Sequence, residues 1–403
     1  MRFSRRLLVG FFLGGLLAPA HAAGFRLTVA PADSDRAGET VTFTVPAGLP
    51  RSFLLRDAAG ATQVIEPADD GTGSFFVAAQ KAGETLTYSL EPAAGAGTPT
   101  AVSATKAGGR LHLAVGGRPV FDYQMDADAA AHPGIDAKVL RSGYLHPVYS
   151  PAGRLVTDNY PSDHPHHHGI WTAWTHSEFE GRHPDFWNMG KPAADTTPGA
   201  VEFVSLDRTW SGPFSAGFVA HHHFLDLGAP KPVAVLDEKW TVTLYGTPGF
   251  AARVFDLDLT HTALTDDPLT LPAYRYGGLG VRGAAAWLDK ASFSVLSSEG
   301  VTTRVPTLAR WYYLGGRLDG ATAGIVILEH PANIRAPGGL WMNPDQPFYC
   351  YTPVQSAAFQ ITRTQPYAAR FRFLTLDGPP DAKFLEACWQ GYAHPGAATV
   401  TGP

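Results

Sequence analysis

Short runs of alternating apolar and polar residues recur along nearly the whole chain, and glycine or proline punctuates them. Before residue 92 they read FRLTV, TVTFTV, RSFLLRD, GSFFVAA and TLTYSL. From residue 109 onward come RLHLAV, AVEFVSL, EKWTVTLY, RVFDLDLTHTAL, AGIVILEH and AARFRFLTL. A period of two sends successive side chains to opposite faces, the signature of antiparallel strands with one face on a core. Helical spacing is scarce. One late segment, PPDAKFLEACWQGY at 379–392, carries a proline start and apolar residues at helical intervals and is predicted to be a helix. The fold class expected is therefore all-β. The absence of a fixed internal period argues against a propeller.

At 403 residues the chain suits one small and one large domain. Residues 23–92 read as an immunoglobulin-like sandwich, 93–108 as a linker rich in Ala, Gly and Thr, and 109–403 as a large antiparallel β-sandwich carrying the chemistry. With 45% hydrophobic and 17% charged residues, the chain has material for a sizeable core. Residues 1–22 read as a signal peptide: Arg2, Arg5 and Arg6, an apolar run from Leu7 to Leu17, then Ala20-His21-Ala22. The expected location is periplasmic or secreted, by the general or the twin-arginine route. A net charge of -5 offers no basic footprint for nucleic acid, and no later run is long enough for stable membrane insertion. Cys350 and Cys388 could pair in an oxidising compartment or stay buried as thiols.

The stretch SDHPHHHGIW, 162–171, holds four histidines in five positions. On an extended segment His164, His166 and His168 would share a face, with His167 opposite. Crowding disfavours the charged forms and leaves neutral imidazoles able to take a proton or bind a divalent metal such as Zn, Cu, Ni, Fe or Mn. His164 and His166 are the candidate metal pair, with His146, His176, Glu178, His183 or Asp185 as a third ligand. Trp171, Trp174, Phe179, Phe186 and Trp187 lie close in sequence. Aromatic faces beside polar groups suit sugar rings, although core packing accounts equally well for about half of them. A second cluster, AHHHFLDL, sends His222 opposite to His221 and His223. That pair could meet the first cluster or be structural. PAYRYGGLGVRG, 272–283, interleaves Tyr274, Arg275, Tyr276 and Arg282 with glycines, but no strand–helix unit makes it a dinucleotide motif. LEHPANIRAPGGLWMNP, 328–344, places Glu329, His330, Asn333 and Arg335 at a strand end, with Trp341 and Asn343 beyond. No nucleophile elbow is present.

Taken in order, GYLHPVYSPAG, DHPHHHGIW, DFWNMG, YRYGGLGVRG and DGATAGIVILEHPAN resemble exported bacterial proteins labelled PmoA family or treated as a domain of unknown function. The resemblance spans residues 110–375. It implies a sugar-related role outside the cytoplasm, not that of the membrane subunit of a methane monooxygenase. It adds Asp163, Asp185, Tyr276, Arg282, His330 and Asn333 to the site. It departs at His168, where the family often has arginine, which leaves His164, His166 and His167 as the working histidines.

The expected function is a carbohydrate-active enzyme on a large sandwich resembling the mutarotase-like super-sandwich. His164, His166, His167, Arg282 and His330 would be catalytic. Asp163, Trp171, Trp174, Asp185, Trp187, Tyr276 and Asn333 would bind the substrate. Histidine acid–base chemistry of lyase, epimerase or hydrolase type fits better than a two-carboxylate mechanism, with Arg282 or His330 steadying an oxyanion. The alternatives are a non-catalytic saccharide-binding protein and, with His21 as a mature N-terminus, a copper oxygenase.

Overall fold

The computed structural model describes residues 24–402 except 48, 50–51, 94–100, 128–129, 131, 191–193, 290 and 304. The expected signal peptide, and His21 within it, lie outside the described residues. The fold is all-β with one α-helix among the described residues.

Two nine-stranded sheets pack face to face. The first runs from the edge strand Thr307–Leu308 through Gly339–Met342, Phe348–Thr352, Gly278–Arg282, Ile170–Ala173, Tyr144–Val148 and Arg118–Gln124 to Arg110–Val115 and Val102–Ala107. The second is built on five long strands, Thr197–Trp210, Ser215–Asp226, Val233–Tyr245, Ala252–Ala263 and Tyr367–Asp377, paired antiparallel in that order. Their alternation is the period seen in the sequence: along Ser215–Asp226, the side chains of Phe218, Ala220, His222 and Phe224 are buried, and those between are not. One continuous core fills the space between the sheets. Each large apolar side chain buried there contributes roughly 1.5–3 kcal/mol.

A five-stranded sheet and the pair Arg36–Thr44 with Thr72–Gln80 enclose a second core around Leu27, Phe43, Phe53 and Phe75. Two expected boundaries move. Val102–Ala107, expected inside the linker, is the edge strand of the first large sheet. Ala398–Thr401, expected in the large domain, pairs with Arg26–Val29 and closes the edge of the small sheet. Strand edges need partners wherever the chain can supply one, and here Ala398–Thr401 supplies one for Arg26–Val29.

The helix, Ala382–Ala393, follows the predicted segment. Asp381 caps it by accepting from Lys383 and Phe384 backbone N–H groups. Leu385, Cys388, Trp389 and Tyr392 cover the outer face of the second sheet, against Val254, Val326, Leu328 and Leu374. Both cysteines are free and buried, Cys388 on this helix and Cys350 in the first sheet.

The core also holds a polar seam that joins the two sheets. Glu238 is fully buried and engages His222 Nδ1 at 2.7 Å, His261 Nε2 at 2.6 Å and the Thr172 hydroxyl. His222 Nε2 meets the Tyr123 hydroxyl at 2.6 Å, and Trp174 Nε1 donates to His261 Nδ1 at 2.8 Å. An indole nitrogen only donates, so His261 carries its proton on Nε2 and donates it to Glu238. A carboxylate only accepts, so His222 donates from Nδ1, and the Tyr123 hydroxyl, which burial keeps protonated, donates to the bare Nε2. Burial alone would raise Glu238, but His261 and His222 hold it well below the usual carboxylate range. Gly143, at φ +74, makes room for this seam: a Cβ there would lie 2.6 Å from His222. His221, by contrast, faces outward between Asp237 and Asp207. The histidine that crosses to the other sheet is thus the middle one of its cluster, and it meets a tyrosine instead of the first histidine cluster.

Candidate functional site

Alternation assigns the faces of the first sheet. Thr172 and Tyr123 point inward to Glu238 and His222, so Trp171, one residue out of phase, points outward. Gly280 pairs with Trp171, and Arg282 is in phase with Gly280. The glycines of YRYGGLGVRG permit this packing: a Cβ on Gly280 would lie 2.8 Å from Trp171 and 2.9 Å from Trp187. Gly280 makes room for the tryptophans, and Gly278 for the backbone carbonyl of Tyr351.

Over this outer face the histidine stretch folds as consecutive turns, not as the extended segment expected. His164 N–H donates to Pro161 O at 3.0 Å, and His167 N–H to His164 O at 2.9 Å. Turns abolish the two-residue period. The rings of His164, His166 and His167 therefore gather within 4.8–5.5 Å, centroid to centroid. His168 turns away to stack on Tyr144 at 4.6 Å and to meet the Asn159 side-chain oxygen through Nδ1.

Arg282 sits beneath the trio, fully buried. Its Nη2 donates to both Asp163 oxygens, at 2.9 and 3.2 Å, and its Nη1 to His167 Nδ1 and Gln346 Oε1, each at 3.4 Å. This settles two tautomers. Arginine only donates, so His167 Nδ1 carries no proton. The Gln346 oxygen faces two donors, Arg282 and Asn343 Nδ2. Its amide nitrogen therefore faces His164 and donates to Nδ1 at 2.7 Å. With Nδ1 accepting from Gln346, His164 carries its proton on Nε2; the same Nδ1 lies 3.4 Å from Asp163 Oδ2.

Burial pushes His166 down to about 4, assisted by His164 and Arg282. Burial, His166 and Arg282 put His167 further below the ordinary imidazole range. Asp163 is exposed, and His164 and His166 are half-buried. The outward side of the cluster thus offers one carboxylate, one imidazole N–H and one bare imidazole base.

Several expected site residues lie elsewhere or point elsewhere. Trp171, Trp174 and Trp187 are at most 2% exposed and present no face on which a sugar could stack. Trp171 instead packs between His167 and Trp187, and Trp174 belongs to the interior seam. Asp185 is fully buried and shapes its own turn by accepting from Trp187 and Asn188 backbone N–H groups. His330 packs on Tyr392 of the helix, on the far side of the sandwich, and both ends of the Asn333 amide are taken by the Arg370 backbone. Neither joins the trio. Tyr276 does border it: its ring meets Trp187 at 5.6 Å, and Trp187 meets His167 at 6.4 Å. Its hydroxyl lies 3.2 Å from Asn188 Nδ2.

The donor set does not fit a metal. Among the described residues no three His, Cys, Asp or Glu side chains converge as ligands. The nearest expected partners are engaged differently, His146 with Thr157 and His176 in a stack on Tyr274 at 3.9 Å. Gln346, which orients His164, was missed in the sequence. Nothing near it in sequence marks it except the turn residues of NPDQP.

Fold and site together define a large two-sheet β-sandwich with a histidine cluster on the outer face of one sheet. The chain belongs to a family of unknown function, DUF6807, which matches residues 110–390; the PmoA label is not part of that match. No curated protein matches the chain. Among solved structures it is similar to an alpha-mannosidase from Enterococcus faecalis V583, at 10% identity and a TM-score of 0.44, over 94% of this chain and 46% of that one. It is also similar to a glycosyl hydrolase family 38 protein from Enterococcus faecalis, at 9% identity and a TM-score of 0.41, over 94% and 47%. The chain spans about half the length of these proteins. Among the described residues no helix is long and apolar enough to cross a membrane.

Proposed function

We propose that this protein is an exported carbohydrate-active enzyme that works by histidine acid–base catalysis, as a lyase, epimerase or hydrolase on a glycoside or an oxidised sugar. The observation that carries this reading is the trio itself. Three imidazoles share one site, and His166, the half-buried one with a strongly lowered pKa, stays unprotonated at neutral pH. In this reading His166 takes the proton and His164 Nε2–H donates to the oxygen that gains charge. Arg282 is too buried to touch substrate. It acts as a positioning residue through Asp163, Gln346 and His167, which replaces the oxyanion role expected of it. The stacking role expected of Trp171 and Trp174 passes to the half-buried rings of Tyr276 and Trp341.

His166→Ala is expected to lower turnover of a glycoside or 3-keto-glycoside by roughly 10²–10⁴-fold. In the wild type the base loses activity only as pH falls through about 4. An ordinary histidine would lose it near 6.5. Unchanged turnover in both His166→Ala and His164→Ala overturns the assignment. Saccharide binding with no product after long incubation favours a binding protein instead.

A further inference from the structure

Arg275 differs from the other arginines around the site. It is exposed, and its guanidinium lies 5.8 Å from the Tyr274 ring centroid, 5.5 Å from that of Tyr276 and 5.4 Å from that of Trp341. Among the described residues no carboxylate pairs with it and no hydrogen bond engages it. Arg182 and Arg282 hold acidic partners, and Arg335 donates to the backbone carbonyls of Pro353, Ala357 and Ala358. The distinction matters physically. A salt bridge consumes the N–H edge of a guanidinium, whereas aromatic rings engage the cation's charge and leave its five donors unspent.

The rings are themselves held in place. His176 stacks on Tyr274 at 3.9 Å, Tyr274 and Tyr276 meet at 5.0 Å, and Asn188 holds the Tyr276 hydroxyl. Contacts lead from Tyr276 through the buried Trp187 to His167, which puts the cation on the same side of the sheet as the trio. A chain of net charge -5 keeps here a fixed cation with no internal partner, beside half-exposed rings suited to the apolar face of a sugar.

We propose that Arg275, Tyr274, Tyr276 and Trp341 form a subsite for an oxyanion carried by a sugar, a uronate carboxylate or a sulfate ester. It rests on the carbohydrate reading above. The guanidinium edge receives two oxygens of the anion side by side, and the sugar ring lies against Trp341.

The test is calorimetric titration of the full chain with two pairs of probes: a trigalacturonate and its methyl ester, and a sulfated galacto-oligosaccharide and its desulfated form. In at least one pair the charged member is expected to bind about tenfold more tightly or better, as charge-assisted hydrogen bonds allow. The pair that shows the preference tells carboxylate from sulfate. Arg275→Gln should abolish the preference, and Arg275→Lys should keep only part of it, because an ammonium lacks the fork. Unchanged thermal unfolding of both variants verifies that they fold. Equal binding of charged and uncharged probes to the wild type overturns the subsite and leaves the proposed function standing. So does a preference that survives in Arg275→Gln. No binding by any probe counts against both.

Discussion

Glu238→Gln is expected to remove about 3–5 kcal/mol of unfolding free energy, the usual cost of breaking a buried ionic group away from its partners. Glu238 accepts from three donors at once: His222 Nδ1–H, His261 Nε2–H and the Thr172 hydroxyl. Glutamine keeps the shape, but one end becomes an NH₂ group. That end faces a histidine N–H, donor against donor, in a fully buried seam. Removing the charge also takes the main counter-charge from Arg141, a buried guanidinium that burial lowers to about 10 against the opposing pull of Glu238. Urea unfolding of the two proteins measures the difference. Thr172→Val removes one neutral donor and leaves the charge, so it should cost only about 1 kcal/mol. Equal losses for the two variants would mean that the carboxylate's charge contributes nothing.

Glu329→Gln should act in the opposite direction. Burial pushes the Glu329 carboxyl up to about 8. One oxygen accepts from Gly338 N–H at 2.8 Å, and the other is buried with no partner. In the unfolded chain the group ionises near 4.5. Between about 4.5 and 8 the folded protein therefore binds more protons than the unfolded one. A raised carboxyl costs nothing below the unfolded value, and its penalty grows with pH until the folded value is reached. Glutamine cannot ionise. The variant should match the wild type near pH 4 and exceed it at pH 7 to 8 by on the order of 3 kcal/mol. Unfolding midpoints measured at pH 5 and pH 8 test this. A gap that does not widen with pH would show that the native carboxyl is already ionised at low pH.

The two glutamates show what sequence reading reaches. Glu329 ends an apolar strand beside His330 and Asn333, yet Glu329 enters the core, His330 packs on the helix and the Asn333 amide pairs with the Arg370 backbone. Glu238 went unremarked because EKWTVTLY looks like any half-buried strand. Its partners come from three other strands, and no spacing along the chain records that. Crowding of histidines was legible, as was the lowered basicity it produces, since both follow from local composition. Alternation alone grouped His164, His166 and His168, and a pair of turns replaced that strand; the trio His164, His166 and His167 was the set that the family resemblance implied. The tryptophans were misjudged for a similar reason: closeness in sequence to a polar cluster does not say which side of the sheet a ring occupies.

By itself the sequence determined an all-β fold, a capped C-terminal helix and a concentration of imidazole near residue 165. Each of these is written in periodicity or composition over a few consecutive residues. Tertiary structure alone decided that His168 turns away onto Tyr144 and Asn159, and that Arg282 lies beneath the trio as a support for Gln346 and Asp163. It also decided that Ala398–Thr401 completes the first domain's sheet, and that Arg275 stands caged and unpaired beside the site. These facts depend on which strands become neighbours, and pairing across a sheet joins residues separated by more than a hundred positions.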